Sequence, residues 1–104
     1  MQNITTHIIG QKVIIRSNDS GVHHGTLVAV DGVSVRLANS RRLWEWNTGG
    51  GGISLSEIAI CGIDHNGSKI TMTLPDIVIS GVCEIIPTHG MADATIEGAA
   101  VYKP

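Results

Sequence analysis

His24-Gly-Thr-Leu-Val-Ala-Val30, then Asp31-Gly32, then Val33-Ser-Val-Arg-Leu-Ala38 is the stretch that decides the fold. Asp-Gly between two β-branched runs is the strongest short-range hairpin signal, because a type I′ turn needs positive φ at both central positions. The whole composition reads the same way. Ile and Val number 24 against 5 Leu and no Phe in 104 residues. Side chains branched at Cβ are stiff and suit pleated surfaces better than helices. An α+β domain, mostly antiparallel β, is expected over 1–104: a small curved sheet or partial barrel with two short helices.

Upstream of the hairpin, Ile4 to Ile9 and Lys12 to Arg16 read as brief strands, and Ser17 to Gly21 as a turn. Downstream, Arg41 to Trp46 continues as a strand and ends at the glycine tetrad 49–52, a loop on entropic grounds. Ser54-Leu55-Ser56-Glu57 fits a capping box, with a two-turn helix over Leu55 to Ile60 and Gly62 at its C′ position. Asp64 to Gly67 reads as a turn. Lys69 to Leu74 alternates, placing Ile70, Met72 and Leu74 on one face. Pro75 makes that strand an edge or ends it. Ile77 to Ile79 and Val82 to Ile86 are further strands. Thr88 is expected to cap a second helix through Met91 to Ile96, and Ala100 to Tyr102 to return as an edge strand.

Composition excludes several functions. Seven Lys and Arg against nine Asp and Glu give a net charge of −2, and only 15% of residues are charged. A duplex nucleic-acid binder usually carries a basic surplus. No apolar run approaches the roughly 18 residues that a membrane span needs, and no signal-peptide pattern opens the sequence. Cys61 and Cys83 lack Cys-x-x-Cys spacing and read as small buried hydrophobes in a reducing, cytoplasmic setting, with a disulfide between them the unsupported alternative. His7, His23, His24, His65 and His89 show no metal-ligand spacing, so no metal or cofactor is expected. The glycine tetrad lacks the lysine of a phosphate loop. It is either a plain loop or, leading into a capped helix, an anion contact. No nucleophile elbow or paired carboxylates argue for catalysis.

The most informative stretch is Arg41-Arg42-Leu43-Trp44-Glu45-Trp46. Alternation puts Arg42, Trp44 and Trp46 on one face and Arg41, Leu43 and Glu45 on the other. Two indoles and a guanidinium can hold a nucleobase by stacking and a phosphate by a bidentate fork. Against this, a chain without Phe needs large side chains inside, so at least one Trp is expected in the core. Arg16, Lys69 and Lys103 are the remaining movable cations, each a ligand contact or a solvated charge.

With these residues in hand, the chain from Arg16 onward resembles the phage Thoeris anti-defence sponges. The resemblance rests on RSNDSGVHHG at 16–25, RRLWEW at 41–46, SLSEIA at 54–59, the Lys69 to Pro75 strand, EIIP at 84–87, and the tail with Ala94, Ile96 and Val101. It implies a non-catalytic protein that captures cyclic ADP-ribose isomers, or cyclic oligonucleotides, in the host cytoplasm and leaves them intact. It also implies a symmetric homo-oligomer, a hexamer or larger even assembly, with sites between protomers. The chain departs from the family pattern at Asn18 and Ile70, where an aromatic is usual, and at Glu97, where a basic residue is common. Those departures bear on ligand identity. The ligand-binding candidates are Arg16, Arg41, Arg42, Trp44, Trp46, Lys69 and Lys103. The rival readings are a plain β-barrel interaction module and a cyclic-nucleotide hydrolase.

Overall fold

The computed structural model describes residues 4–52 and 54–103. Strands β1 (Lys12–Ser17), β2 (Gly21–Asp31) and β3 (Ser34–Thr48) form an antiparallel meander, and β2 and β3 are the expected hairpin, with Gly32 at φ 59°. Helix α1 (Leu55–Cys61) leads into β4 (Ile63–Ile70) and β5 (Leu74–Ile79). Then come β6 (Val82–Pro87) and helix α2 (Gly90–Glu97). The six strands make one sheet in the order β4-β3-β2-β1-β6, with β5 also on β3. The architecture is therefore α+β and mostly antiparallel, as expected.

β3 takes in both of the runs expected as separate strands. It bends where Asn39 adopts φ 52° and where Gly25 of β2 crosses it closely. A Cβ at Gly25 would lie 3.1 Å from the Ala38 carbonyl oxygen and 3.2 Å from the Ser40 Cα. The bend brings the far end of the hairpin back over β1 and β6: Val82 N–H donates to Val33 O (2.9 Å), and Ser17 Oγ donates to Ser80 O (2.9 Å). β5 and β6, joined by the Ser80-Gly81 turn, form no ladder with each other, so the sheet curls without closing.

Both faces of β1 are buried. Ile14 points toward α1 and α2, into a core with Val22, Leu43, Ile58, Ile70 and Ile96. Val13 and Ile15 point the other way, against Leu27, Val35, Leu37 and Ile79 inside the curl. Period-2 alternation thus serves two cores at once.

Several expectations are corrected. Ile4 to Ile9 is no strand: Thr6–Ile8 forms a 3-10 turn that drops Ile8 into the second core. Ladder pairing with β2 begins only at Gly10, whose N–H donates to Leu27 O. The turn expected at Asp64 to Gly67 lies within β4, and the strand expected over Lys69 to Leu74 is interrupted. Between the pairs Leu43↔Ile70 and Ser40↔Leu74, β3 advances three residues while its partner advances four. The chain therefore arches outward at 71–73. Ile70 is buried, whereas Met72 and Leu74 are exposed, so the three do not share a face. Pro75 does sit on an edge strand. His89, not Thr88, is the N-cap of α2, and the Thr88 hydroxyl donates instead to the Asp93 carboxylate. Of Ala100 to Tyr102, only Val101 bridges, in parallel to Ile70. Cys83 is exposed rather than buried, and both cysteines are free.

Gly25→Ala is expected to destabilise the fold by about 1–3 kcal/mol, since backbone must move to admit the methyl group. Gly90 of α2 has nothing within 4 Å of the point where a Cβ would stand. Gly90→Ala is therefore expected to stabilise by about 0.4–1 kcal/mol. Urea denaturation of the two variants measures both.

Candidate functional site

One edge of β3 is shared by two strands, β5 along 35–40 and β4 along 43–48, and the 71–73 arch fills the join. Thr71 still pairs with Arg42: its N–H donates to Arg42 O (3.0 Å) and its Oγ1 accepts from Arg42 N–H (2.9 Å). Three cavities follow this edge. The first, about 240 Å³, is lined by His23, Ser40, Arg42, Thr71, Met72 and Leu74 together with Ile77. The second, about 240 Å³, is lined by Trp44, Lys69, Ile70, Thr71 and Tyr102. The third, about 380 Å³, is lined by His65, Ser68 and residues 99–103. Thr71 lines both the first and the second and Tyr102 both the second and the third, so the three are neighbours along this edge, called the groove below.

The cations divide sharply. Lys12 pairs with Glu97 (2.6 Å), Arg16 with Glu84 (3.2 Å), Arg36 with Asp76 (3.3 Å) and Lys69 with Glu45 (3.3 Å). Arg41 is buried and spends its donors on main chain: Nε to Thr71 O (2.8 Å), and Nη1 to Ile96 O (2.9 Å), Glu97 O (3.3 Å) and Ala99 O (2.6 Å). Among the described residues, Arg42 and Lys103 are the cations whose side chains have neither an ion pair nor a hydrogen bond. They line opposite ends of the groove.

Between them lie two exposed rings, Trp44 and Tyr102, with the Lys69 ammonium 5.6 and 5.0 Å from their centroids. The hydrogen bond to Glu45 raises the Lys69 pKa above its ordinary 10.5, so the group stays charged. His23 sits opposite Arg42 in the β2–β3 register, is 1% exposed and donates from Nε2 to Ser20 O (2.9 Å). Burial, reinforced by the nearby Arg42 charge, holds its pKa below the ordinary 6.5. Its imidazole is thus kept neutral behind a free guanidinium.

Four of the sequence-derived candidates, Arg42, Trp44, Lys69 and Lys103, come together in this groove. Arg41 lies beneath it as a structural clamp, with the four carbonyls as its partners. Arg16 and Trp46 line a separate cavity of about 420 Å³ beside Ser54 and Glu84. The expected common face of Arg42, Trp44 and Trp46 does not form. Trp44 stays outward with Arg42 (65% exposed), but the β3–β4 register slips on both sides of Glu45, and Trp46 lies against the core under the helices. The core placement of one indole agrees with expectation.

The glycine loop is occupied by the chain itself. Ser54 caps α1 by accepting from Glu57 N–H, while the Glu57 carboxylate accepts from Gly52 N–H and Thr48 Oγ1. Thr71 and Tyr102 are site residues that the sequence does not announce. No local pattern marks them, because the register slip and the returning tail bring them in. Among the described residues, no cluster of three or more His, Cys, Asp or Glu forms a metal-binding group, and no helix is long and apolar enough to cross a membrane.

Residues 10–96 match DUF6948, described as a domain of unknown function. The chain belongs to that family. No curated protein and no solved structure matches it. The matched span contains Arg42, Trp44, Lys69 and the arch, whereas Tyr102 and Lys103 lie beyond it.

Two outcomes test the wiring of the site. Arg41→Met removes donors from buried carbonyls and is expected to lower stability by roughly 2–4 kcal/mol in urea denaturation. A histidine with a depressed native pKa binds a proton more readily when unfolded, so stability is full above pH 6.5 and falls as pH drops below it. His23→Gln, which keeps a donor for Ser20 O, is expected to flatten that acid limb.

Proposed function

We propose that this protein captures a cyclic nucleotide signal, of the cyclic ADP-ribose type or a cyclic oligonucleotide, and holds it without cleaving it. The observation that supports the reading is the groove with a free cation at each end and two exposed rings between. Anionic groups meet Arg42 and Lys103, and a base stacks between them. The ligand is an anion although the chain carries a net charge of −2, because the field that matters is local.

Homo-oligomerisation belongs to the same proposal. Among the described residues twelve large hydrophobic side chains are exposed, and Trp44, Met72, Leu74, Val101 and Tyr102 among them line the groove. Apolar surface concentrated around a site suits coverage by a second protomer. The resemblance to the Thoeris anti-defence sponges points to an even, symmetric assembly acting in the host cytoplasm.

Incubating the protein with a cyclic ADP-ribose isomer is expected to deplete it from the filtrate, and heat denaturation to return it unchanged. Recovery of linear ADP-ribose instead would identify a hydrolase. At a ligand excess of about a hundredfold over Kd, the protein gains roughly 2.7 kcal/mol of stability. No depletion and no thermal shift with either ligand class would leave the plain interaction module. Arg42→Ala is expected to weaken capture by about ten- to a hundredfold while the thermal midpoint of the free protein holds.

A further inference from the structure

The middle of the groove holds an arrangement that capture at its ends does not explain. Trp44 leaves β3 immediately after Leu43, and Leu43 pairs with Ile70. Tyr102 hangs on the same residue from the other side, its N–H donating to Ile70 O (2.9 Å), next to the single Val101 bridge. Two rings from distant parts of the chain thus flank Ile70 and wall an apolar cavity of about 240 Å³. The Lys69 ammonium lies within cation–π range of both rings, and Glu45 tethers it at 3.3 Å. The protein's own cation thus lies over both ring faces that line this open space.

We infer that the space between Trp44 and Tyr102 is a seat for a planar heteroaromatic ring and that Lys69 is its resident plug, a specificity-determining residue that an incoming ring must displace. The rings favour a cation or a stacked π-system, and both compete for the same faces. Once displaced, the ammonium is free to meet an anionic group carried by the same ligand. A ligand with both a ring and a phosphate regains what the Lys69 contacts supplied. A ring alone does not. The plug therefore discriminates against uncharged nucleosides. Tyr102 is the more easily moved wall, since the backbone of the tail beyond Ala100 meets β4 in a single isolated bridge.

This inference rests on the groove taking a nucleotide, and its test separates the two. Adenosine and adenosine 5′-monophosphate are titrated calorimetrically into the wild-type protein, Lys69→Met and Glu45→Gln. Loss of the resident cation is expected to tighten adenosine binding about three- to tenfold in Lys69→Met. Glu45→Gln, which only loosens the tether, moves it less in the same direction. The monophosphate gains little or weakens in Lys69→Met, because its phosphate loses the released ammonium. Adenosine affinity that is unchanged or weaker in Lys69→Met overturns the plug, as does absence of adenosine binding to all three proteins. If wild-type protein captures a cyclic ADP-ribose isomer but Lys69→Met does not tighten adenosine, the plug fails and capture stands. If adenosine tightens but no cyclic signal is captured, the seat stands and the proposed function fails.

Discussion

The guanidinium of Arg41 joins parts of the chain that share no strand. Its Nε holds Thr71 on the arch between β4 and β5, and its Nη1 gathers the carbonyls of Ile96 and Glu97 at the end of α2 and of Ala99 where the tail begins. The last carbonyls of a helix have no partners within it, and a cation there also meets the negative end of the helix dipole. Desolvation pulls the Arg41 pKa below its ordinary value, yet the fan of acceptors keeps the buried charge solvated by main chain. Two walls of the groove, the arch and the tail, depend on this one side chain.

Its cross-strand partner completes the anchoring. His24 lies opposite Arg41 in the β2–β3 register and, buried, shares a hydrogen bond with Asp93 in the first turn of α2 (2.7 Å). Thr88 Oγ1 donates to the same carboxylate. A helix of eight residues is marginal in water by itself. Here one pair of facing residues grips its first turn through His24 and its last through Arg41. Strand alternation then sends the next residue, Arg42, to the other face. Two adjacent arginines take opposite duties, one consumed by the fold and one left without a partner at the groove.

Local chemistry makes much of this legible. Asp31-Gly32 marks the hairpin, Ser54 the start of α1, and alternation separates Arg41 from Arg42. What alternation cannot carry is any stretch where the register slips. The period-2 pattern assumes one residue opposite one residue, but β3 presents a single edge to both β4 and β5. The mismatch is absorbed by the 71–73 arch and by the irregular pairing around Glu45. Trp46, Met72 and Leu74 escape the pattern for that reason. Tyr102 enters through a contact between the tail and Ile70, which no window along the sequence contains. The capping box is half right for a related reason: Glu57 finds the Gly52 N–H and Thr48 hydroxyl that the folded loop brings to it.

A low charge count and an apolar excess take on a joint meaning once placed in space. With four cations in ion pairs and Arg41 committed to carbonyls, the pairing leaves Arg42 and Lys103 beside exposed Trp44, Met72, Leu74, Val101 and Tyr102. In open water a lone guanidinium attracts an anion only weakly, because the solvent screens it. Any body that covers the apolar rim expels that water and strengthens the same charge several-fold without adding a contact. The apolar residues and the two free cations thus share one place, where coverage of the first would strengthen the field of the second.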